Sequence, residues 1–172
     1  MQLHRLKVLV ADDNPYARTV LRTLLGAYGI RDVIDATDGA EAVDLIALNN
    51  PDVVILDWAM PIFTGLEVTR WVRTNQDAPN PFCPIILVTA YSSQKHVLEA
   101  LSAGVHGFVR KPVSAAQLYQ HLLWPILRPR AFVRDGEYFG PPHSALGHDM
   151  ARETKQGDPI RSLAQRPLTA QR

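Results

Sequence analysis

Polar side chains with complementary chemistry follow four of the most apolar segments of this chain. Asp12 and Asp13 come directly after LKVLVA, and Asp57 ends the run VVILD. A hydroxyl and an amine occur in the same relation to two later segments, at Thr89 after IILV and at Lys111 after GFVR. Carboxylates, a hydroxyl and a lysine in one place could hold a divalent cation and stabilise a phosphoryl group.

The apolar segments that precede these residues are typical of strands buried on both faces of a parallel sheet. Segments with helical spacing of apolar residues separate them, and Asn14, Asp38 and Ser114 are typical helix-capping residues. Glu41 follows Asp38 at capping-box spacing. The sequence therefore predicts five strands that alternate with five helices. The predicted strands are 6–11, 33–36, 53–57, 85–89 and 107–110.

This alternation predicts an α/β fold in which right-handed crossovers cover both faces of a parallel sheet. Ligands of such sheets bind at the carboxyl ends of the strands, and all five polar residues are expected there. Three neighbouring carboxylates repel one another, which favours a bound divalent cation, and Mg²⁺ prefers oxygen ligands. Asp57 is the candidate nucleophile because its strand holds it in the centre of the sheet.

These residues, in this order and spacing, resemble the receiver domain of two-component response regulators. The stretch LDWAMP is similar to that of stand-alone, chemotaxis-type members of the family. The resemblance covers about residues 5–127 and implies a flavodoxin-like, doubly wound sheet with strand order 2-1-3-4-5. It also implies that a histidine kinase or a histidine phosphotransfer protein phosphorylates Asp57.

The resemblance further implies a metal site for Mg²⁺ or Mn²⁺. Asp13, Asp57 and the backbone carbonyl of Ala59 would be direct ligands, and Asp12 would act through a bound water. Ala59, together with Tyr91, also occupies a position that tunes the lifetime of the phosphoaspartate in the family. An alanine leaves the path of water open and a tyrosine shields it, so the net effect stays open.

The remaining implied roles concern the phosphoryl group and the switch that responds to it. Lys111 would pair with the phosphoryl group and Thr89 would be the switch hydroxyl. Phe108, three residues before the lysine, falls at the position of the switch aromatic. The peptide bond between Lys111 and Pro112 is expected to be cis, a geometry that is inexpensive only before proline. Trp58 is expected either to pack beside the site or to control access to it.

Composition limits the remaining possibilities. The chain has 172 residues, enough for one core, and with a net charge of +1 it is not basic enough for charge alone to indicate nucleic-acid binding. Its single cysteine, Cys83, cannot form an internal disulfide, and no apolar run is long enough to span a membrane. We therefore expect a cytoplasmic protein with one receiver domain over residues 1–127.

Residues 128–172 are rich in proline and glycine and are expected to form a tail without a core of its own. The stretch AFVRDGEYF contains an Asp-Gly turn signal and predicts a small hairpin or an extended arm. Phe132, Tyr138 and Phe139 would dock it on the receiver or on a partner. No DNA-binding or catalytic output domain is expected in this tail. Output would instead pass through a separate partner that reads the surface of the fourth helix, fifth strand and fifth helix. A homodimer is left open.

Three alternatives compete with this interpretation, two of them enzymes and one a binding module. A flavin-binding enzyme would need a glycine-rich phosphate loop after the first strand, where this chain has ADDNPY. An aspartate-nucleophile phosphatase would need an acid two residues after Asp57, where this chain has Ala59. A receiver-like module that works unphosphorylated is disfavoured by the complete set of five residues. The only expected chemistry is self-catalysed phosphotransfer and dephosphorylation.

Overall fold

The computed structural model describes residues 3–91 and 93–142, and the predicted tail from residue 143 onward lies outside the described residues. Five parallel strands form one sheet in the order β2-β1-β3-β4-β5, which confirms the predicted fold. The strands are β1 (Lys7–Ala11), β2 (Asp32–Ala36), β3 (Val53–Asp57), β4 (Ile85–Thr89) and β5 (Gly107–Arg110). The helices are α1 (Pro15–Ala27), α2 (Gly39–Asn49), α3 (Gly65–Thr74), α4 (Gln94–Ala103) and α5 (Ala115–Leu127).

Helices cover both faces of the sheet, and each face has its own apolar core. On one face, Leu21 and Leu25 of α1 join Leu118 and Leu122 of α5. On the other face, the core is formed by α2, α3 and α4. Every residue of β3 and β4 is buried, as two-sided packing requires. The strands that end at the candidate site are therefore rigid supports.

The helices begin at capping residues, with one departure from the predicted pattern. Asp38 accepts hydrogen bonds from the backbone of α2 as predicted, but the Glu41 carboxylate accepts from Thr37 rather than completing a box with Asp38. The complete capping box is at the start of α3, between Thr64 and Glu67. Either arrangement satisfies amide donors that a helix start leaves free.

A hairpin follows α5. Its strands β6 (Val133–Asp135) and β7 (Tyr138–Gly140) pair antiparallel, and Gly136 occupies the intervening turn with a φ of 58°. Phe132 and Phe139 pack on each other and on Phe82, with ring centroids 5.0 to 5.3 Å apart. The hairpin therefore docks on the receiver fold through aromatic contacts, and residues up to 142 belong to one compact unit.

A buried arginine lies beneath this hairpin. Arg73 of α3 is only 4% exposed, and its guanidinium donates to the carbonyl oxygens of Gly104, Pro81 and Cys83 at 2.8 to 3.0 Å. The same group lies 5.2 Å from the centroid of the Phe132 ring. Burial lowers the pKa of Arg73 to about 10, so the group stays charged at neutral pH. Arg73 thus links α3, the end of α4 and the hairpin.

His106 lies beside Arg73 at the amino end of β5. Its Nδ1 is 3.3 Å from the amide nitrogen of Ile85 and 3.3 Å from Nη2 of Arg73. Because both neighbours are donors, Nδ1 must be an unprotonated acceptor and the ring must be neutral. Burial, assisted by the charge of Arg73, lowers the pKa of His106 to about 3.

This neutral histidine predicts a specific loss of stability in acid. Below pH 6.5 the unfolded chain binds a proton at residue 106 that the folded protein excludes until about pH 3. The free energy of unfolding should therefore fall by up to about 1.4 kcal/mol per pH unit across this window. Urea unfolding between pH 7 and pH 5 should show that the free energy of unfolding depends less steeply on pH in His106→Gln than in wild type. His4→Gln is the control and should keep the wild-type slope. Equal slopes in His106→Gln and wild type would contradict the assignment.

In the described part of the chain, no helix is long and apolar enough to cross a membrane.

Candidate functional site

Three carboxylates meet at the carboxyl edge of the sheet. Asp12 and Asp13 follow β1, and Asp57 is the last residue of the neighbouring strand β3. One oxygen from each carboxylate lies within 4.8 Å of the other two. Asp12 and Asp57 are 1% and 7% exposed, whereas Asp13 is exposed to solvent. The structure thus brings together the three acids that the sequence assigned to one metal site.

Lys111 lies between two of these acids. Its Nζ is 2.6 Å from Oδ1 of Asp57 and 2.7 Å from Oδ2 of Asp12. The lysine follows β5, and its amide donates to the carbonyl of Thr89 at 2.7 Å. The peptide bond to Pro112 is cis, as the resemblance implied. The lysine therefore reaches the acids across β4 from the edge of the sheet.

The electrostatics of the site favour an added cation. Burial raises the pKa of Asp57, and this effect outweighs the opposing hydrogen bond and charge of Lys111. Burial alone would lower the pKa of Lys111, but its hydrogen bonds to Asp12 and Asp57 and their charges raise it overall. Three ionised carboxylates and one ammonium leave a net charge of −2. A divalent cation would balance this charge and favour the ionised form of Asp57.

The backbone around Asp57 is tightly fixed. The amide of Ala59 donates to Oδ2 of Asp57 at 3.0 Å, and the amide of Gly65 donates to the carbonyl of Trp58 at 3.0 Å. A Cβ at Gly65 would lie 2.4 Å from the Asp57 carbonyl oxygen, so only glycine allows α3 to start here. The short loop from β3 to α3 is therefore held against the carboxylate.

Thr89 and Phe108 lie on the neighbouring strands. Thr89 is fully buried at the end of β4, and its Oγ1 accepts from the amide of Tyr91 at 2.9 Å, which leaves its hydroxyl hydrogen available. Phe108 pairs in register with Leu87, two residues before Thr89, and packs against the same core as α4. Alternate residues of a strand share a face, so Thr89 and Phe108 both point toward the α4 side of the sheet.

Two further residues near the site were not predicted from the sequence. Arg18 of α1 donates from Nη1 to the carbonyl of Asp12 at 2.7 Å, and its buried Nε has no hydrogen-bond partner within the described residues. His96 of α4 contacts the rings of both Trp58 and Tyr91. Arg18 lies on the inward face of α1, and this position in the helical pattern could have indicated that it contacts the site. No local sequence pattern connects Trp58 with His96.

Chemically, the site can bind a divalent metal and stabilise an anionic group. Both oxygens of Asp12 and both of Asp57 already accept hydrogen bonds or pair with Lys111, whereas the Asp13 carboxylate faces solvent. Oxygen ligands without sulfur or imidazole are the donor set of hard cations such as Mg²⁺. The residues present therefore fit a metal, with Asp13 the most accessible ligand.

Comparisons with known proteins agree with this architecture. Residues 8–123 match the protein family described as response regulator receiver domain. The chain is 32% identical over 117 residues to the chemotaxis protein CheY of Pseudomonas aeruginosa, and the alignment covers 68% of this chain and 93% of that protein. Identity to CheY-3 of Vibrio cholerae is 30%, with 68% of this chain and 88% of that protein covered.

Solved structures give the same result. The chemotaxis protein CheY4 of Vibrio cholerae aligns with a TM-score of 0.62 and 31% identity, covering 69% of this chain and 96% of that one. The receiver domain of the sensor histidine kinase PA1611 of Pseudomonas aeruginosa aligns with a TM-score of 0.61 and 30% identity, covering 69% and 94%. In that receiver domain a magnesium ion is coordinated in the active site cleft.

Proposed function

This chain belongs to the response regulator receiver domain family, and from this premise we propose that it receives a phosphoryl group on Asp57 from a phosphohistidine and signals through phosphorylation-dependent binding of a protein partner. The donor would be a histidine kinase or a histidine phosphotransfer protein. One observation carries the proposal. The buried Asp57 carboxylate lies within 4.8 Å of two further acids and 2.6 Å from Lys111.

In the proposed transfer, an oxygen of Asp57 attacks phosphorus while the bond from phosphorus to the histidine nitrogen breaks. The imidazole leaves with the bonding electron pair and takes up a proton. Lys111 pairs with a phosphoryl oxygen in place of the Asp57 oxygen that it contacts at 2.6 Å. The Thr89 hydroxyl donates to a second phosphoryl oxygen. In-line positioning and charge neutralisation of this kind are the main requirements of phosphoryl transfer.

Mg²⁺ is the proposed cofactor, and Mn²⁺ would serve in its place. Asp13, Asp57 and the Ala59 carbonyl would coordinate it directly, and Asp12 would act through a water, as the resemblance to receiver domains implies. The bound ion would neutralise phosphoryl oxygens. The magnesium ion in the PA1611 receiver domain supports this choice, because that domain is similar to this chain in sequence and in fold.

A prediction for metal binding follows from the exposure of Asp13. Asp13→Asn should weaken Mg²⁺ binding by about 10-fold to 100-fold or more, since loss of outer-sphere partners alone often weakens metal sites that much. Calorimetric titration with Mg²⁺ measures the affinity, and the exposed Asp77→Asn is a matched control that should bind as wild type does. Equal affinities of wild type and Asp13→Asn would contradict the assigned ligand.

The proposed output rests on the position of Thr89 and Phe108. Both point toward α4, so movement of the Thr89 hydroxyl toward a phosphoryl group would change the surface formed by α4, β5 and α5. A separate protein would bind this surface. The chain would then be a stand-alone cytoplasmic regulator, with its receiver domain over residues 1–127 and a tail over residues 128–172. Homodimerisation through the same surface is the alternative output, and sedimentation of both phosphorylation states distinguishes the two.

The test of the proposed function is incubation with acetyl phosphate and Mg²⁺, followed by intact-protein mass spectrometry. Wild type should gain one acid-labile phosphoryl group, and Asp57→Asn should gain none. Turnover of the donor without a stable adduct would favour an enzyme. An unmodified wild-type protein that still binds its partner would favour a module that works unphosphorylated.

A further inference from the structure

One imidazole joins the two loops that flank the phosphorylation site. His96, in the first turn of α4, meets the Trp58 ring edge to face, with centroids 5.1 Å apart and an interplanar angle of 83°. The same imidazole stacks on Tyr91 at 5.4 Å and 25°. Trp58 directly follows Asp57, and Tyr91 lies two residues after Thr89. We call these three rings, Trp58, Tyr91 and His96, the aromatic clasp.

The helix start fixes the imidazole in this position. Ser93 caps α4, accepting from the amide of His96 at 3.4 Å, and its Oγ lies 2.6 Å from Nδ1 of His96. The second contact is a hydrogen bond that orients the ring relative to the helix. His96 is partly buried, so its ring is held between its two neighbours.

Each partner of His96 is bonded to the strand that carries the switch hydroxyl. The amide of Tyr91 donates to Oγ1 of Thr89 at 2.9 Å, and the amide of Trp58 donates to the carbonyl of Val88 at 2.9 Å. Movement of the Thr89 side chain toward a phosphoryl group would strain its hydrogen bond to Tyr91 and would draw the loop after β4 with it. Stacking of Tyr91 on His96 opposes that movement, because contacts made in only one of two states favour that state.

We propose that His96 is a positioning residue whose clasp with Trp58 and Tyr91 holds the loop between β4 and α4 in its unphosphorylated arrangement and thereby slows phosphoryl uptake at Asp57. This inference rests on the proposed function of Asp57. A purely structural role for His96, in which its imidazole only stabilises the start of α4 through Ser93, would affect thermal stability without a selective change in uptake. The two roles separate when rate and stability are measured on the same variants.

The test compares initial rates of uptake from acetyl phosphate in the presence of Mg²⁺. His96→Ala removes both ring contacts and should take up phosphate about threefold to tenfold faster than wild type. His96→Phe retains both contacts and should stay within about twofold of wild type. Glu99→Ala, which breaks an ion pair with Lys95 on the same helix, controls for general loosening of α4 and should leave the rate unchanged.

A second variant keeps the test decisive if His96→Ala folds poorly. Tyr91→Leu breaks the stack from the other side and should accelerate uptake to a similar degree. The double variant should be no faster than His96→Ala alone, because His96→Ala already removes the contact that Tyr91→Leu breaks. Unchanged or slower uptake in His96→Ala, equal acceleration in His96→Phe or Glu99→Ala, or additive effects in the double variant would each overturn the inference. Failure of wild type to take up phosphate would instead overturn the proposed function.

Discussion

Lys111→Met is expected to slow phosphoryl transfer to Asp57 by about 100-fold or more, the usual loss when one group that stabilises developing negative charge is removed. Methionine keeps the length and most of the apolar stem of the side chain but removes the ammonium that lies 2.6 Å from Asp57 and 2.7 Å from Asp12. The rate is measured as acid-labile phosphate gained per unit time from acetyl phosphate.

Lys7→Met is the matched control. Its Nζ donates to the Asn49 carbonyl at the amino edge of the sheet, away from Asp57. The same substitution there should therefore leave the rate unchanged. Removal of the Lys111 charge should also strengthen Mg²⁺ binding, since the site loses its own cation. Slower uptake with intact metal binding therefore separates the loss of phosphoryl stabilisation from collapse of the site. Uptake by Lys111→Met within about threefold of wild type would contradict the role.

The largest expected effect on stability is at Arg73. Arg73→Leu should lower the free energy of unfolding by about 3 to 5 kcal/mol, because buried carbonyls lose a charged donor and the aromatic hairpin contact is lost. The carbonyls are those of Gly104, Pro81 and Cys83. Urea unfolding measures the change, and Arg70→Leu on the exposed side of the same helix should shift it by less than about 0.5 kcal/mol.

Because Arg73 lies at the amino edge of the sheet, folded Arg73→Leu should still take up phosphate on Asp57. A loss of less than about 1 kcal/mol in Arg73→Leu would mean that leucine satisfies the packing and that the carbonyls find other donors. That outcome would contradict the role of Arg73 as the link between α3, α4 and the hairpin.

The positions of the site residues were predictable because the strands that carry them are short, apolar and clearly bounded. The predicted bounds 53–57, 85–89 and 107–110 agree with β3, β4 and β5 to the residue. Since parallel strands end at one edge, the residue at each strand end determines the composition of that edge. Asp12, Asp13, Asp57 and Lys111 could therefore be assigned to one site without any knowledge of distances.

The hairpin contacts and the arginine beneath them could not be predicted in the same way. A hairpin signal was present in AFVRDGEYF, but its docking partners Phe82 and His106 lie in loops far away in the sequence. Arg73 lies in the last turn of α3, and an arginine in such a helix is usually exposed. Only the carbonyls that surround it in three dimensions explain its burial.

The clasp around His96 illustrates the same limit near the site. Ser93 was readable as a cap of α4, but the ring contacts of His96 with Trp58 depend on how the loop after β3 meets the helix. The Glu41 carboxylate likewise accepts hydrogen bonds from Thr37 and does not complete a capping box with Asp38, although the spacing alone allowed either arrangement. Local patterns therefore predicted where elements begin, while tertiary geometry decided which side chains meet.

The role of Asp57 is tested most directly by chemical identification of the phosphorylated residue. Protein treated with acetyl phosphate and Mg²⁺ is reduced with borohydride, which converts an aspartyl phosphate to homoserine, and the residue is located by peptide sequencing in a mass spectrometer. Homoserine is expected at position 57 in wild type and is not expected in Asp57→Asn. Homoserine at another position, or none in the wild-type protein, would contradict the assignment of Asp57 as the phosphoryl acceptor.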